Sequence, residues 1–159
     1  MDRKRTFFEK VGRFVPGYMG YEQRDNRRSS DKQLRNRIAN DLLLAETKIE
    51  THKQDLIRKN DLQTAMEWEQ VRKAINTLSP KIKNATYGES GFFSKEKIKE
   101  DELNSIYEKD SELADRVKII AETVSDKLNE PMMTAAIMQM LSAIDKLLIA
   151  RTNYINQYK

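Results

Sequence analysis

The chain has 159 residues, which fits a single domain. Its charged fraction of 34% and hydrophobic fraction of 38% are typical of long amphipathic helices, which bury a narrow apolar stripe and leave their other faces in solvent. The absence of cysteine excludes disulfide bonds, a thiolate nucleophile and any cysteine-based metal site.

The positive charge is concentrated near the N-terminus. Residues 1–37 hold eleven Lys and Arg against five Asp and Glu, whereas the remaining residues hold eighteen against twenty. A basic, aromatic segment ahead of a near-neutral body is typical of a docking element on a scaffold. We therefore predict a docking segment at residues 1–28 and a helical bundle domain at residues 29–159.

The first fifteen residues predict a short basic amphipathic helix. Phe7, Val11 and Phe14 recur at helical spacing with Phe8 beside them, and five Lys and Arg between residues 3 and 13 occupy the remaining faces. Such a helix can lie on an anionic membrane surface or bind a protein partner. Alternatively, its apolar face packs back onto the body and closes one end of the core.

A glycine–tyrosine repeat follows, in which Tyr18 and Tyr21 each come directly after a glycine. Glycine lets the backbone approach another surface while the rings anchor it, and arginine can stack on tyrosine. Arg24, Arg27 and Arg28 follow within the next seven residues. The alternative is an extension strapped across the body, with its tyrosines on apolar stripes and its arginines paired with helix carboxylates.

Residues 14–40 contain Pro16-Gly-Tyr-Met-Gly-Tyr21, then Arg24-Asp25 and Arg27-Arg28, then Asp31 and Leu34-Arg35. This stretch resembles the opening of an uncharacterised group of small bacterial helical proteins. The resemblance implies a bacterial origin and supplies no activity.

Apolar residues at helical spacing predict four long helices in the rest of the chain. The first runs from a cap at Ser29 or Ser30 to about Lys59, and the second begins at a cap on Asn60 or Asp61 and ends or bends near Pro80. A loop is predicted over residues 84–91. The third helix begins after Ser94, and the fourth has Pro131 in its first turn after a cap at Asn129.

Because the predicted connections are short, consecutive helices are expected to lie antiparallel. The predicted fold is thus all-α, an antiparallel up-down-up-down bundle of four long helices with coiled-coil-like stripes and a basic amphipathic extension. The methionine-rich fourth helix, residues 132–158, is a candidate homodimer seam, although core packing explains it equally.

Catalytic chemistry has little support in the sequence. His52 is the only histidine, which excludes a di-iron bundle and a nitrogen–sulfur zinc site. The five glycines form no phosphate-binding loop. We therefore predict no enzyme, no catalytic residue, no metal and no cofactor.

The chain has no run of eighteen apolar residues and no apolar core of a secretory signal near its N-terminus. This pattern predicts a cytoplasmic protein without a membrane-spanning helix. Its basic segment could still bring it to the inner face of the membrane as a peripheral protein.

The predicted function is a non-enzymatic interaction or scaffold protein, docked through residues 1–28 to a protein partner or an anionic membrane. Nucleic-acid binding by the arginine-rich stretch is the alternative, although acidic residues interrupt that stretch. The predicted partner-binding residues are Phe7, Phe8, Arg13, Phe14, Tyr18, Tyr21, Arg24, Arg27 and Arg28.

Overall fold

The computed structural model describes residues 3–85 and 91–157. These residues form helices and no strands, which confirms the all-α prediction. The helices are α1 (Arg3–Phe14), α2 (Arg24–Arg58), α3 (Leu62–Lys83), α4 (Gly91–Ser94), α5 (Glu100–Asp126) and α6 (Met133–Asn156).

The four long helices pack in a ring around one apolar core. α2 and α6 each pack against both α3 and α5, while α1 lies along α5. The largest fully buried apolar side chains include Trp68 of α3, Tyr107 of α5 and Leu34 of α2. The short helix α4 contacts α2 and α6, and its Phe92 and Phe93 are buried.

Side-chain contacts give the relative directions of the helices. Ser79 Oγ donates to the Ala39 carbonyl (3.1 Å) and Lys53 pairs with Glu69 (2.8 Å), so α2 and α3 run antiparallel. The same reasoning makes α5 and α6 antiparallel, because Arg151 bonds to Asp110 (2.6 Å) and the Tyr154 hydroxyl to the Glu102 carbonyl (3.3 Å).

The predicted four-helix arrangement is not confirmed in full. Within the described residues, α3 and α5, which are consecutive among the long helices, do not pack on each other. α3 and α6 are parallel neighbours instead, with Glu67 near Thr134 (3.4 Å) and Lys81 near Asp145 (3.0 Å). The connection over residues 84–99 is long enough to cross the end of the ring diagonally. Of the loop predicted at residues 84–91, residues 86–90 lie outside the described residues.

α2 begins earlier than predicted. Gln23 precedes it with extended backbone, and Ser30 is buried within the helix instead of capping it. The predicted boundary between residues 28 and 29 therefore falls inside a continuous helix. Asp25 in the first turn favours this earlier start, because a carboxylate stabilises the positive end of the helix dipole.

α3 begins as predicted, since the Asp61 side chain accepts a hydrogen bond from the Thr64 amide (3.3 Å). It does not end at Pro80, however, but continues to Lys83. The Arg35 guanidinium donates to the Lys83 carbonyl (2.5 Å), and buried Ile82 anchors this last turn. A cation that bonds to the last carbonyls of a helix stabilises its negative end.

The predicted first residues of the third and fourth long helices are wrong. Ser94 ends α4, and α5 begins at Glu100, where the Glu102 side chain accepts from the Lys99 amide (2.9 Å). α6 begins at Met133, after Met132 with a left-handed φ of 64°, so neither Asn129 nor Pro131 forms its first turn. The predicted fourth helix reached Tyr158, which lies outside the described residues.

Among the described residues, α6 is long and apolar enough by length and composition to span a membrane, although the sequence predicted no such helix. A mostly buried core helix of a soluble protein has the same length and composition, whereas 22% of the apolar window of α6 is buried. Ile137, Ile144 and Ile155 of α6 are fully buried in the common core.

A charged network at the α2–α3 interface predicts sensitivity to acid. Glu69 accepts hydrogen bonds from Arg72 (2.6 Å) and Lys53 (2.8 Å), which lower the pKa of Glu69 from 4.5 to about 2. An acid with a lowered folded-state pKa contributes stability above its unfolded pKa and loses it as the pH falls toward the folded value. We expect Glu69→Gln to lower the free energy of unfolding by roughly 1 kcal/mol at pH 7.

The measurement is urea unfolding of both proteins between pH 7 and pH 3. The difference in the free energy of unfolding should shrink steadily below about pH 4.5, because Glu69 of the unfolded wild type then takes up a proton while the folded state stays ionised. A difference that stays constant over this range would contradict the electrostatic origin of the effect.

Candidate functional site

A buried polar network connects the N-terminal segment to the helical body. Its centre is Arg151 of α6, which is 2% exposed. Arg151 donates to Asp110 of α5 (2.6 Å), to Asp31 of α2 (2.6 Å) and to the Tyr21 hydroxyl (3.0 Å). Arg35 completes the ionic part by donating to the second oxygen of Asp31 (2.9 Å). Two arginines thus neutralise two carboxylates in the buried interior.

Tyrosines from the glycine–tyrosine repeat complete the network. The hydroxyls of Tyr21 (2.5 Å) and Tyr18 (3.2 Å) both donate to Asp110 Oδ2. The Tyr21 amide donates to the Tyr107 hydroxyl (2.8 Å), and the two rings stack 5.5 Å apart. Arg27 Nε donates to the Tyr21 carbonyl (2.8 Å). The segment is therefore fixed by side chains from α2, α5 and α6.

Burial sets the protonation states within this network. Burial raises the pKa of Tyr18 and Tyr21 well above the ordinary value, and it raises that of Tyr107 to about 12. Burial also raises the pKa of Asp110, which Arg151 partly offsets. Burial by itself would lower the pKa of Arg151, but the carboxylates of Asp110 and Asp31 outweigh it and raise that pKa well above its usual value. The phenols stay protonated as donors, and Arg151 stays charged.

A basic groove lies on the surface next to this network, where α1 ends between α2 and α5. Its volume is about 580 Å³. Its floor contains Ala45, Ala114 and Ala121, and Leu44 stands at its edge with 63% of its surface exposed. The lining has five basic and two acidic side chains: Lys10, Arg13, Arg37, Lys48, Lys118, Asp41 and Asp115.

Ion pairing leaves the groove with excess positive charge. Asp115 pairs with Lys10, and Asp41 pairs with Arg37 (2.9 Å). Lys48 donates to a neutral hydroxyl, Ser125 Oγ (2.6 Å). Both carboxylates are therefore neutralised from within the lining. Of the other three cations, Arg13 and Lys48 have no acidic partner among the described residues, and Lys118 lies 4.0 Å from Glu122.

No family model, curated protein or solved structure significantly matches this chain. The resemblance of residues 14–40 to a bacterial group stays a prediction.

The structure divides the nine predicted partner-binding residues into three groups. Arg13 and Arg24 are exposed, and Arg13 lines the groove. Partly buried residues are Phe7, Phe8, Phe14 and Arg28. Fully buried residues are Tyr18, Tyr21 and Arg27. The last three serve the internal network in this structure and are not exposed to a partner. Their burial agrees with the alternative of a strap across the body, although Arg27 bonds to backbone carbonyls and not to the helix carboxylates expected there.

Phe14 is the predicted aromatic residue that contributes to the groove. The Arg37 guanidinium lies over its ring at 4.9 Å from the centroid, which fixes both side chains at the groove wall. Phe8 instead faces inward and meets the Tyr107 ring edge-on at 6.0 Å. Arg28 turns away toward α4 and donates to Ser94 Oγ (3.1 Å).

Sequence reasoning missed Asp31, Arg35, Asp110 and Arg151 as network residues. The available signal was a charged residue on an apolar helical stripe. Arg151 lies between Leu147 and Tyr154 at helical spacing, and Asp110 lies between Ile106 and Leu113. Such positions are buried, and a buried charge requires a partner of opposite charge.

The predicted homodimer seam at residues 132–158 is partly internal. Ile144, Leu148 and Arg151 face the core, while Met132 and Met138 are exposed. Tyr158 lies outside the described residues. Met133 and Met140 pack against the core while partly buried, so the methionines serve both the core and the surface.

The described residues gather no set of side chains suited to a metal ion. No group of three or more His, Asp or Glu side chains among them is arranged to hold a metal ion. The titratable groups of the network are buried and hold one another by hydrogen bonds. The arrangement is suited to fixing a segment and presenting a surface.

Proposed function

We propose that this protein is a non-enzymatic interaction protein that binds a protein partner through the basic groove beside α1. The buried network makes the N-terminal segment a rigid part of this surface. The sequence assigned partner docking to residues 1–28. In this proposal Arg13 and Phe14 contact the partner, whereas Tyr18, Tyr21 and Arg27 hold the segment in place.

The observation that carries this proposal is the excess positive charge of a groove whose floor is apolar. A cleft that combines apolar floor area with charges at its edge is typical of protein docking sites. Covering an exposed leucine such as Leu44 with a partner removes apolar surface from water and stabilises the complex. Nothing in the groove requires substrate turnover to explain its side chains.

Site-specific photo-cross-linking in cells of the native host tests the proposal. A benzophenone amino acid replaces Leu44 at the groove edge, and in a separate variant it replaces Met66, which is 68% exposed on α3. We expect discrete protein adducts from position 44 and none from position 66. Both positions are exposed, so neither substitution should disturb folding.

Adducts with lipid or nucleic acid at position 44 would overturn the protein-partner proposal in favour of the membrane or nucleic-acid alternative. Equal adduct patterns at both positions would also overturn it, because they would mean that the groove is not a preferred surface. Full-length protein is used throughout, since the N-terminal segment is part of the fold.

A further inference from the structure

We infer that the groove receives an acidic amphipathic α-helix of the partner, in line with α1. This inference rests on the proposed function and specifies the partner's chemistry. Its support comes from the way α1 packs along α5 and ends at the groove that α2 and α5 line.

α1 demonstrates that this surface accepts a helix. Its Val11 is fully buried, and its partly buried Phe8 contacts Tyr107 of α5. Further along, Lys10 pairs with Asp115. α1 then ends at Phe14, whereas α2 and α5 continue beyond it to Arg58 and Asp126. The space that a longer α1 would fill is the groove.

The unfilled part of the groove is about as long as two turns of an α-helix. It extends along residues 41–48 of α2 and residues 114–121 of α5, and eight residues of helix cover about 12 Å. Ala45 and Ala114 are almost completely buried in its floor. Small floor residues allow close approach of another helix, and its apolar side chains would cover Leu44.

The edges of the groove determine the charge of the occupant. Arg13 has no ion pair among the described residues, and Lys48 bonds only to a hydroxyl there. Lys118 is 4.0 Å from Glu122, and both side chains are mostly exposed. Glutamates or aspartates flanking the apolar face of a helix would pair with Arg13 and Lys48 and compete with Glu122 for Lys118.

Two other occupants agree less well with the groove. A membrane surface needs basic and apolar side chains that project together from a convex face, whereas these line a concave space. A nucleic-acid backbone needs an unbroken positive track, and here Asp41 and Asp115 interrupt the lining.

The test uses a stapled synthetic helix of about three turns, with leucines along one face and glutamates on both sides of it. We expect it to bind the full-length protein with a Kd of roughly 10 μM and more weakly as salt is added. Amide chemical-shift changes should concentrate at residues 41–48 and 114–121. The reversal Lys48→Glu with Lys118→Glu should weaken binding about tenfold or more.

Matched controls separate this helix-specific recognition from general charge attraction. The reversal Lys73→Glu with Lys146→Glu makes the same charge change on exposed positions of α3 and α6 and should leave binding unchanged within about twofold. A peptide of equal charge with its leucines scattered around the helix should not bind. Equal binding of that peptide, or an equal effect of the control reversal, would overturn the inference.

The outcome also separates this inference from the proposed function. Protein adducts at position 44 without binding of the stapled helix would retain the partner and reject its helical, acidic nature. Binding of the helix without protein adducts in cells would reject the cellular function and retain the helix-binding groove.

Discussion

Replacing Arg151 with methionine is expected to lower the free energy of unfolding by about 3–5 kcal/mol, the range for removing one partner of a buried ion pair. Methionine keeps most of the side-chain length, so the main loss is the charge. Asp110 and Asp31 would then remain fully buried without the guanidinium that bonds to both. The measurement is urea unfolding at pH 7, with Lys146→Met on the exposed face of α6 as the matched control. That control should stay within about 0.5 kcal/mol of the wild type.

The pH dependence of Arg151→Met distinguishes an unpaired buried charge from a simple packing defect. Burial already raises the pKa of Asp110, and loss of Arg151 removes the group that offsets this. An acid with a raised folded-state pKa binds more protons in the folded state, so acidification favours folding. The free energy of unfolding that Arg151→Met loses should therefore become smaller between pH 7 and pH 5. Adding Asp110→Asn to this variant should restore part of the stability at pH 7.

Two results would contradict this account of the network. One is a deficit for Arg151→Met no larger than that of Lys146→Met. The other is a large deficit that does not change with pH or on addition of Asp110→Asn, which would assign the loss to packing alone.

The helix content followed from the sequence because it depends on local spacing. Leu34, Ile38 and Leu42 recur at intervals of four, and the structure buries all three on one side of α2. The cap at Asp61 was equally local and is confirmed. Such features can be recognised from the neighbouring residues alone.

The features that sequence reasoning missed depend on distant partners. Asp25 favours the early start of α2 locally, but Arg27 in this first turn also bonds to the Lys95 carbonyl, which is far away in sequence. The sequence predicted that α3 ends or bends near Pro80, and its continuation to Lys83 is supported by the bond from Arg35 to the Lys83 carbonyl. The diagonal placement of α3 and α5 in the ring also depends on packing across the whole core.

The candidate site shows the same division between local and distant information. The basic character of Arg13 and the aromatic character of Phe14 were readable from sequence, and both line the groove. The groove itself requires α1 to end between α2 and α5, which no local pattern specifies. Tyr18 and Tyr21 were correctly recognised as unusual, but their burial depends on Asp110 and Arg151, about ninety or more residues away.

Gly20→Ala is expected to lower the free energy of unfolding by about 3 kcal/mol or more, because two penalties act at this position. Gly20 has a φ of +76°, a left-handed conformation that costs an L-residue about 1–2 kcal/mol. A β-carbon there would also overlap the Tyr107 hydroxyl and lie 2.7 Å from Cε2 of Phe8. The same hydroxyl accepts the hydrogen bond from the Tyr21 amide, so the new methyl group would displace the segment from the network.

Gly17→Ala provides the matched control for the backbone penalty. Gly17 has nearly the same φ, +79°, but the nearest atom to its β-carbon is Nε2 of the Gln33 side chain, at 3.5 Å. This variant should therefore lose only about 1–2 kcal/mol, and the difference between the two glycines measures the steric overlap. Equal losses in urea unfolding would mean that Tyr107 and Phe8 can move aside without cost. A larger loss for Gly20→Ala, together with weaker binding of the stapled helix, would show that the buried network holds α1 in place beside the groove.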